Sequence, residues 1–503
     1  MSSKLVQSID PRTFEAVELD VRSTTSAELD EVVAGALEAG EQLASANPRE
    51  RADLLGSMAS ALQDDRSDIV GAADRETALG PARLHGELDR CIGQFGHLAD
   101  VVVDGAYLEA TIDHAGADQP DVRRLMVPVG MVAVFGASNF PLAFSVPGGD
   151  TASAIAVGCP VVVKAHPSHP RTCLLAVRAL RRGAVAAGFS DRLVTLVFGE
   201  SIGRALVGHE DVSAVGFTGS ARAADALQRA IAARARPIPF YGELGSVNPL
   251  VVTSAAAAER GDEIARGLLD SFTLGNGQFC TKPGVSLVPE EHASRFVSVL
   301  RAGLAGREPG FLLNEAIKAA FVERTTSWRE SARPWIGDEN PHTAGTSVSA
   351  GVLVVDATDV QRDASLLDEC FGPVTVVVRY GSLGDAISVL AAVPASLTAT
   401  VHAGSGSDPD AVRLLAAVMP GAGRIVWNGY PTGVRVSWAM HHGGGSPAAT
   451  NPQHTSVGAT AVRRWLRPLA LQGVPDALLP VALREANPLG VPRRVDGAMV
   501  PRP

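Results

Sequence analysis

Residues 131–141, Met-Val-Ala-Val-Phe-Gly-Ala-Ser-Asn-Phe-Pro, combine a short apolar run with a turn that contains glycine and proline. Five consecutive apolar residues that end before a glycine are typical of a strand buried on both faces. The same arrangement recurs downstream, with alanine-rich helical stretches between the copies, at residues 160–164, 193–198 and 214–217. Because strands that alternate with helices form a parallel sheet, this region predicts a doubly wound α/β domain.

A second series of apolar runs begins near Pro249 and predicts another domain of the same class. Its strands are expected at residues 250–252, 351–355, 374–379 and 398–402. Residues 26–104 are rich in Ala, Leu and Glu at helical spacing, and Asn47-Pro48 is a start signal for the second helix. We therefore predict two α/β domains with a crevice between them, since a chain of 503 residues is too long for one core.

Composition and charge argue against several classes of protein. The net charge of −10 gives no sign of a nucleic-acid partner, and the apolar runs are too short to span a membrane. The five cysteines contain no C-x-x-C pair, so neither a disulfide framework nor a metal site is expected. The first 20 residues lack the basic start and apolar run of a signal peptide. These features predict a cytoplasmic protein with reduced thiols.

One thiol stands out in residues 273–284, Thr-Leu-Gly-Asn-Gly-Gln-Phe-Cys-Thr-Lys-Pro-Gly. Three glycines free the backbone here, and such a turn can lift one side chain toward a ligand. Cys280 is therefore a candidate catalytic nucleophile. Most free cysteines are small buried apolar residues, and Cys280 taken alone would be one of them. The other motifs decide between these two interpretations.

Ligands of doubly wound sheets bind at the carboxyl ends of strands, so the residues that follow the predicted strands are candidate contacts. Asn139 follows the first strand, where an ordinary turn asparagine is an equally good interpretation. Lys164, His166 and Ser168 follow the second and offer a cation and two donors. With no carboxylate nearby in the sequence, this set suits an adenosine 2′-phosphate better than a bare ribose.

Three later turns carry further candidates. Gly219-Ser220 follows a strand and precedes a helix predicted over 221–235, which is a natural arrangement for binding a pyrophosphate. Glu243 stands between two glycines at the junction of the predicted domains, where a carboxylate can act as a general base. Glu369 precedes a Gly-Pro turn and a predicted strand. Either glutamate could instead be an ordinary turn residue.

Taken in this order, the motifs resemble those of the aldehyde dehydrogenase superfamily over nearly the whole chain. The resemblance implies that Cys280 attacks the aldehyde and that Glu243 activates the water that releases the product. It also implies that the Asn139 amide stabilises the oxyanion. The implied cofactor contacts are Lys164 at the adenosine ribose, Glu369 at the nicotinamide ribose and Phe371 beside the ring.

The resemblance also implies a domain plan. Residues 1–108 and 129–245 are expected to bind the dinucleotide, and residues 246–455 to form the catalytic domain. Residues 109–128 and 456–503 are expected to form a hairpin and an arm that join subunits. A homodimer or homotetramer follows from this plan.

Within the family, several stretches are similar to enzymes that oxidise 2,5-dioxopentanoate, the semialdehyde of 2-oxoglutarate. These stretches are residues 135–151, 164–167, 243–249, 272–284, 428–434 and 475–490. Pro167 stands where many NAD-using members have a glutamate, which favours NADP or dual use. A substrate with a distal carboxylate needs a cation, and Arg90 and Arg435 are candidates, although each could be a surface arginine. The alternatives are a fatty or aliphatic aldehyde and, in a different class, a non-enzymatic binding protein on the same fold.

One loop departs from the pattern of these enzymes. Residues 442–447 read His-Gly-Gly-Gly-Ser-Pro, where the related pattern is His-Gly-Gly-Pro-Tyr-Pro. The family resemblance implies that this loop lies near the entrance of the substrate site. We therefore expect an entrance that differs from that of these enzymes, which leaves room for a different substrate.

Overall fold

A computed structural model of the chain describes residues 4–331, 333–338 and 344–501. The parts of the expected domain plan at residues 1–3, 332, 339–343 and 502–503 lie outside the described residues. The described chain begins with an antiparallel hairpin of two strands, β1 (Leu5–Ile9) and β2 (Ala16–Arg22). Four helices follow: α1 (Ser26–Ser45), α2 (Pro48–Asp64), α3 (Arg66–Thr77) and α4 (Pro81–Asp104).

The helical prediction for residues 26–104 is confirmed, and the caps explain where two helices begin. The Thr25 side chain accepts a hydrogen bond from the Glu28 backbone N–H, and the Thr25 backbone N–H donates to the Glu28 carboxylate, which completes a capping box. Asn47 makes the same box for α2, whose first residue is Pro48. The apolar stripe of α2 packs into the core of the first α/β unit.

The first parallel sheet matches the predicted strands and adds one. Its elements, in chain order, are β5 (Val132–Phe135), α5 (Gly149–Ala156), β6 (Val161–Lys164), α6 (Pro170–Ala186), β7 (Val194–Val197), α7 (Ile202–Gly208), β8 (Ala214–Thr218), α8 (Ala221–Ala232) and β9 (Phe240–Glu243). They follow a short hairpin, β3 (Thr111–Asp113) and β4 (Val122–Pro128). The strand order is β7-β6-β5-β8-β9, and all pairs are parallel. The chain leaves β5 toward one side and returns to β8 on the other, so β5 is the switch point where ligands bind in such sheets.

Two details of this sheet differ from the sequence predictions. Strand β9 was not predicted, and it ends at Glu243. Helix α8 ends at Ala232, not at residue 235 as predicted. Pro237 follows soon after, and a proline disfavours helical backbone in the residue before it and cannot donate a helical hydrogen bond.

The second sheet has seven strands in the order β13-β15-β16-β11-β10-β17-β18, of which only β13 is antiparallel to its neighbour. Its strands and the short β12–β14 pair are β10 (Leu250–Val252), β11 (Val285–Pro289), β12 (Gly310–Phe311), β13 (Trp335–Gly337), β14 (Ser347–Val348), β15 (Gly351–Asp356), β16 (Val374–Tyr380), β17 (Ser396–His402) and β18 (Ala422–Trp427). Its helices are α9 (Ser254–Thr273), α10 (Glu290–Leu304), α11 (Glu315–Glu330), α12 (Ala357–Arg362), α13 (Leu383–Ala392) and α14 (Pro409–Val418). The four predicted strands are present.

A third, smaller sheet joins the β3–β4 hairpin to the C-terminal part of the chain. Its C-terminal strands are β19 (Leu466–Gln472), β20 (Arg493–Val495) and β21 (Ala498–Val500), and the strand order is β19-β4-β3-β20-β21. Seven residues of β19 pair antiparallel with β4. Residues 109–128 thus contain the expected hairpin, and the structure pairs it with a C-terminal strand of the same chain, while the joining of subunits stays a prediction. The two parallel sheets with covering helices and this appended sheet also confirm the α/β fold class.

Candidate active site

The turn that carries Cys280 is shaped by its glycines. Gly275, Asn276 and Gly277 have φ values of 56°, 58° and 67°, in the left-handed region that favours glycine. A side chain on Gly277 would collide with the carbonyl oxygen of Gly372. The turn thus packs directly against the loop before β16, and it presents a half-buried Cys280.

Asn248 fixes the backbone on either side of this turn. Its Nδ2 donates to the carbonyl oxygens of Cys280 at 2.8 Å and Lys282 at 2.9 Å. Its Oδ1 accepts from the Ser246 and Thr398 hydroxyls, so the amide is fully engaged. Asn248 therefore anchors the nucleophile's turn to the start of β10 and to β17.

A histidine that the sequence analysis did not assign contacts the thiol. His442 Nε2 lies 3.6 Å from Cys280 Sγ and 2.9 Å from Glu243 Oε1. The Ser456 hydroxyl donates to the other oxygen of Glu243 at 2.6 Å. His442 is 1% exposed and Glu243 5%, so little water screens the group. The three side chains thus form one connected acid–base network around Cys280.

The electrostatics of this network set the resting protonation states. Burial, and then the nearby Glu243 carboxylate, raise the pKa of the Cys280 thiol well above its ordinary value. Burial would raise the pKa of Glu243 too, but the charge and hydrogen bond of His442, with the Ser456 hydroxyl, lower it below its ordinary value. The resting site therefore holds a protonated thiol beside a charged carboxylate, and the thiol needs a base before it can attack.

Asn139 lies at the switch point, on the loop after β5, and is 7% exposed. Its Nδ2 donates to the carbonyl oxygen of Gln278 at 2.8 Å, two residues before Cys280. The backbone carbonyl oxygen of Asn139 accepts a hydrogen bond from Arg83 Nη2 at 2.6 Å. The structure therefore brings the predicted oxyanion donor to the nucleophile's turn, and one amide hydrogen of Nδ2 is left for another acceptor.

A cleft of about 1530 Å³ collects most of the predicted cofactor contacts. The predicted residues that line it are Lys164, His166, Gly219, Ser220, Glu369 and Phe371. Ser220 caps α8, where its hydroxyl accepts from the Ala223 N–H. Ser168 is not among the lining residues, but its Oγ accepts from Nδ2 of Asn314, which does line the cleft, at 3.0 Å.

The sequence showed no carboxylate near Lys164, but the fold supplies one. Glu200, on the loop after β7, lines the same cleft. Burial lowers the pKa of Lys164, and Cys173 and then the Glu200 charge act against that lowering. Arg204 lines the cleft as well. The end of the cleft that contains Lys164 therefore carries both signs of charge.

Glu369 is tied to the nucleophile's turn through a buried lysine. Lys282 Nζ donates to the carbonyl oxygens of Cys370 at 2.6 Å and Val374 at 2.8 Å, on either side of the turn that follows Glu369. Burial lowers the pKa of Lys282 and raises that of Glu369, whose carboxylate is partly compensated by the lysine. The same short segment that holds Cys280 thus positions the cofactor-side carboxylate.

Arg90 and Arg435 have different surroundings. The Arg90 guanidinium stacks on Phe144 at 4.9 Å, and its Nε and Nη2 are buried without a hydrogen-bond partner among the described residues. Its charge acts on the Cys280 thiol. Arg435 is exposed, on the segment that follows the Gly433 turn.

A second arginine near the thiol had no signal in the sequence. Arg424, on β18, donates to the carbonyl oxygens of Gly433 at 3.0 Å and Pro431 at 2.6 Å. Its Nε is buried without a partner among the described residues, and its charge interacts with Cys280. The Gly433 N–H in turn donates to the Thr281 hydroxyl at 3.3 Å. Arg424 therefore reaches the nucleophile's turn through one loop.

Sequence comparison agrees with this geometry. The model of the aldehyde dehydrogenase family matches residues 1–453. The chain belongs to the aldehyde dehydrogenase family. It is 44% identical over 465 residues to alpha-ketoglutaric semialdehyde dehydrogenase 2 of Azospirillum brasilense. The aligned region covers 89% of this chain and 88% of the relative. It is 34% identical to the alpha-ketoglutaric semialdehyde dehydrogenase of Acinetobacter baylyi, over 98% of this chain and 95% of the relative.

Solved structures show the same fold at low sequence identity. Succinic semialdehyde dehydrogenase of Streptococcus pyogenes, in complex with NADP⁺, superposes with a TM-score of 0.80 at 18% identity, over 93% of this chain and 99% of that one. A 3,6-anhydro-L-galactose dehydrogenase superposes with a TM-score of 0.81 at 20% identity, over 93% of this chain and 96% of that one. Among the described helices of this aldehyde dehydrogenase, none has the length and apolar character that crossing a membrane requires.

Proposed function

We propose that this aldehyde dehydrogenase oxidises 2,5-dioxopentanoate to 2-oxoglutarate, with NADP or NAD as the hydride acceptor. The observation that carries the proposal is the group in which Cys280 Sγ lies 3.6 Å from His442 Nε2, itself 2.9 Å from Glu243. The two relatives named for this semialdehyde, at 44% and 34% identity, support the choice of substrate.

The first chemical step follows from the resting protonation states. His442 passes its Nε2 proton to the Glu243 carboxylate as it takes the Cys280 proton on the same nitrogen, and the thiolate adds to the aldehyde carbon to form a thiohemiacetal. Glu243 then releases its proton to the solvent. Negative charge then develops on the former carbonyl oxygen. The free hydrogen of the Asn139 amide stabilises it, a contribution of about 10²–10³ in rate for one such donor.

The cleft suits a dinucleotide. Ser220 opens helix α8, and the N-terminus of a helix of twelve residues favours a pyrophosphate. Lys164 offers a cation at the carboxyl end of β6, and Glu369 lies toward Cys280. When bound, the cofactor accepts the hydride that leaves the thiohemiacetal carbon, so that the carbon is oxidised to the level of a thioester.

The last step returns the enzyme to its resting state. Glu243 removes a proton from a water, whose oxygen attacks the thioester carbon on Cys280. The C–S bond breaks, the acid leaves, and the thiolate regains a proton. The sum is aldehyde, water and oxidised cofactor giving acid, reduced cofactor and one proton.

A dicarbonyl acid as substrate is supported by the charges around the thiol. Arg90 and Arg424 both act electrostatically on Cys280, and buried nitrogens without a partner among the described residues are Nε and Nη2 of Arg90 and Nε of Arg424. We infer that they receive the carboxylate and the 2-oxo group, with Arg435 at the entrance. Unpaired buried donors are costly, and a substrate that pairs them gains affinity.

The broader assignments belong to the same proposal. Residues 1–108 and 129–245 serve as the dinucleotide-binding domain, and residues 246–455 as the catalytic domain. Residues 109–128 and 456–503 join subunits into a homodimer or homotetramer in the cytoplasm. The third sheet, which ties β3 and β4 to β19, supports a shared role for these two segments.

The test is reduced-cofactor formation by the purified protein with 2,5-dioxopentanoate, alongside hexanal and a Cys280→Ala variant. Activity on the oxo acid that disappears in the variant is the expected result. Activity on hexanal alone would replace the substrate and keep the chemistry. No activity and no binding of NADP or NAD would overturn the proposal and favour a binding protein on this fold.

A further inference from the structure

Three ligating atoms of different kinds meet at the nucleophile. Glu243 offers a carboxylate oxygen, Cys280 a sulfur and His442 a ring nitrogen, and these atoms all lie within 4.8 Å of one another. Across residues 4–331, 333–338 and 344–501, this is the one group of three or more such residues with that spacing. We propose that Glu243, Cys280 and His442 form a binding site for Zn²⁺ that switches the nucleophile off reversibly.

The distances fit a tetrahedral zinc ion. Zinc binds thiolate sulfur at about 2.3 Å and imidazole nitrogen at about 2.0 Å, which separates these two ligands by about 3.5 Å at a tetrahedral angle. Cys280 Sγ and His442 Nε2 are 3.6 Å apart. The 2.9 Å between His442 Nε2 and Glu243 Oε1 has to widen by about 0.4 Å. The third pair, Cys280 Sγ and the Glu243 oxygen, lies within 4.8 Å, against about 3.5 Å around a tetrahedral ion, so adjustment of the Glu243 side chain completes the site.

The chemistry of the set also favours zinc. Thiolate, imidazole and carboxylate are all zinc ligands, whereas magnesium and calcium prefer oxygen alone. Three protein ligands leave a fourth position for water, as in zinc sites that are not purely structural. The thiolate and the carboxylate together balance the charge of the ion in a buried setting.

Binding follows a simple proton balance. Cys280 loses its thiol proton, His442 keeps one proton on Nδ1, and one proton is released for each Zn²⁺ bound. Ser456 supports the site from outside, because its hydroxyl holds Glu243 Oε2 at 2.6 Å. With the sulfur lone pair on the metal, the thiol can no longer attack an aldehyde, and a chelator restores it.

This site does not depend on which aldehyde is oxidised. The loss of activity on adding Zn²⁺ rests on the proposed function, but metal binding itself does not. A direct binding measurement therefore separates a failure of the metal site from a failure of the proposed substrate.

The test uses the full chain, stripped of metal and kept reduced. Co²⁺ is titrated as a spectroscopic probe, and Zn²⁺ is titrated in competition with a coloured chelator. We expect one Co²⁺ per chain with a sulfur-to-cobalt charge-transfer band in the near ultraviolet, and its displacement by Zn²⁺. The Cys280→Ser variant should lack the band. Activity, measured in parallel, should fall with Zn²⁺ and return with chelator.

Variants locate the site. Ser456→Ala should weaken Zn²⁺ binding by about 10–100-fold, as outer partners of metal ligands do, and His442→Gln by more. Two matched controls should bind as the parent does: His441→Gln, the neighbouring histidine, and Cys173→Ser, whose thiol lies 3.3 Å from His169 Nδ1. A band that survives in Cys280→Ser, binding unchanged in His442→Gln, or no band at all would overturn the proposal.

Discussion

The imidazole of His442 forms a 2.9 Å hydrogen bond with the carboxylate of Glu243, and the same ring nitrogen faces Cys280 Sγ at 3.6 Å. One histidine therefore links the proposed nucleophile, Cys280, with the proposed water-activating base, Glu243. We predict that the two residues serve different steps. Loss of a general acid–base group typically costs about 10²–10⁴ in rate, so both His442→Gln and Glu243→Gln should lower kcat strongly.

Rapid mixing separates the two steps. Glu243→Gln should still give a fast burst of about one reduced cofactor per active site, followed by slow turnover, because deacylation is impaired. His442→Gln should slow the burst itself. Cys280→Ser is the control without a thioester. A fast burst in His442→Gln would contradict its role in activating the thiol.

A second prediction concerns the arginines near the thiol. Hydrogen bonds to charged groups contribute about 1.5–3 kcal/mol, so Arg424→Met and Arg90→Met should each lower kcat/KM for 2,5-dioxopentanoate by about 10–100-fold. Methionine keeps much of the aliphatic packing of the replaced stem. Hexanal has no carboxylate, so kcat/KM for hexanal should change little.

The exposed Arg435 supplies the matched control for this prediction. Arg435→Met should have a smaller effect than either buried arginine. If hexanal activity falls in parallel with oxo-acid activity in Arg424→Met, the residue only supports the Pro431–Gly433 loop through its two carbonyl contacts. That outcome would remove Arg424 from substrate recognition.

A third prediction concerns the choice between NADP and NAD. Glu200 and Lys164 line the same cleft, and a carboxylate repels a 2′-phosphate while a lysine attracts it. Glu200→Gln should therefore raise the ratio of kcat/KM for NADP over NAD, and Lys164→Met should lower it. The steady-state parameters for both cofactors test this directly. An unchanged ratio in both variants would place the 2′-phosphate elsewhere.

The outline of this site could be predicted from the sequence because its parts sit in local patterns. Cys280 lies in a turn with left-handed glycines, Asn139 follows the buried strand β5, and Glu243 stands between two glycines at the end of β9. Local strand and turn signals made these residues candidates, and the family resemblance gave them their roles. Four of the five strands of the first sheet and four of the seven of the second were predicted from the same local signals.

Residues whose role depends on a distant partner could not be found this way. His442 is 199 residues from Glu243 along the chain, and Glu200 reaches Lys164 only because β6 and β7 are neighbours in the sheet. Arg424 lies on the edge strand β18, whose sequence shows neither a long apolar run nor a clear alternation of apolar and polar residues. Pairing across the fold, rather than local pattern, brings these side chains to the site.

A fourth prediction concerns stability and rests on His402, which ends β17 and is 1% exposed. Burial, and then the charge of Arg260, lower the pKa of His402 from 6.5 to about 4. The His402 imidazole takes up a proton near pH 6.5 in the unfolded state but only near pH 4 in the folded state. The stabilising contribution of the neutral imidazole is therefore complete above pH 6.5. Its contribution is lost as the pH falls toward 4 and amounts to about 3 kcal/mol.

Urea unfolding midpoints at pH 7.0 and at about pH 5 measure this loss. In the parent chain the midpoint should fall over this range, and in His402→Gln it should fall less, because glutamine takes up no proton. The exposed His85 gives the control, since His85→Gln should keep the full pH dependence of the parent. An equal fall in the urea midpoint between the two pH values in the parent and in His402→Gln would contradict this prediction. Groups other than the buried imidazole beside Tyr430 would then govern the loss of stability in acid.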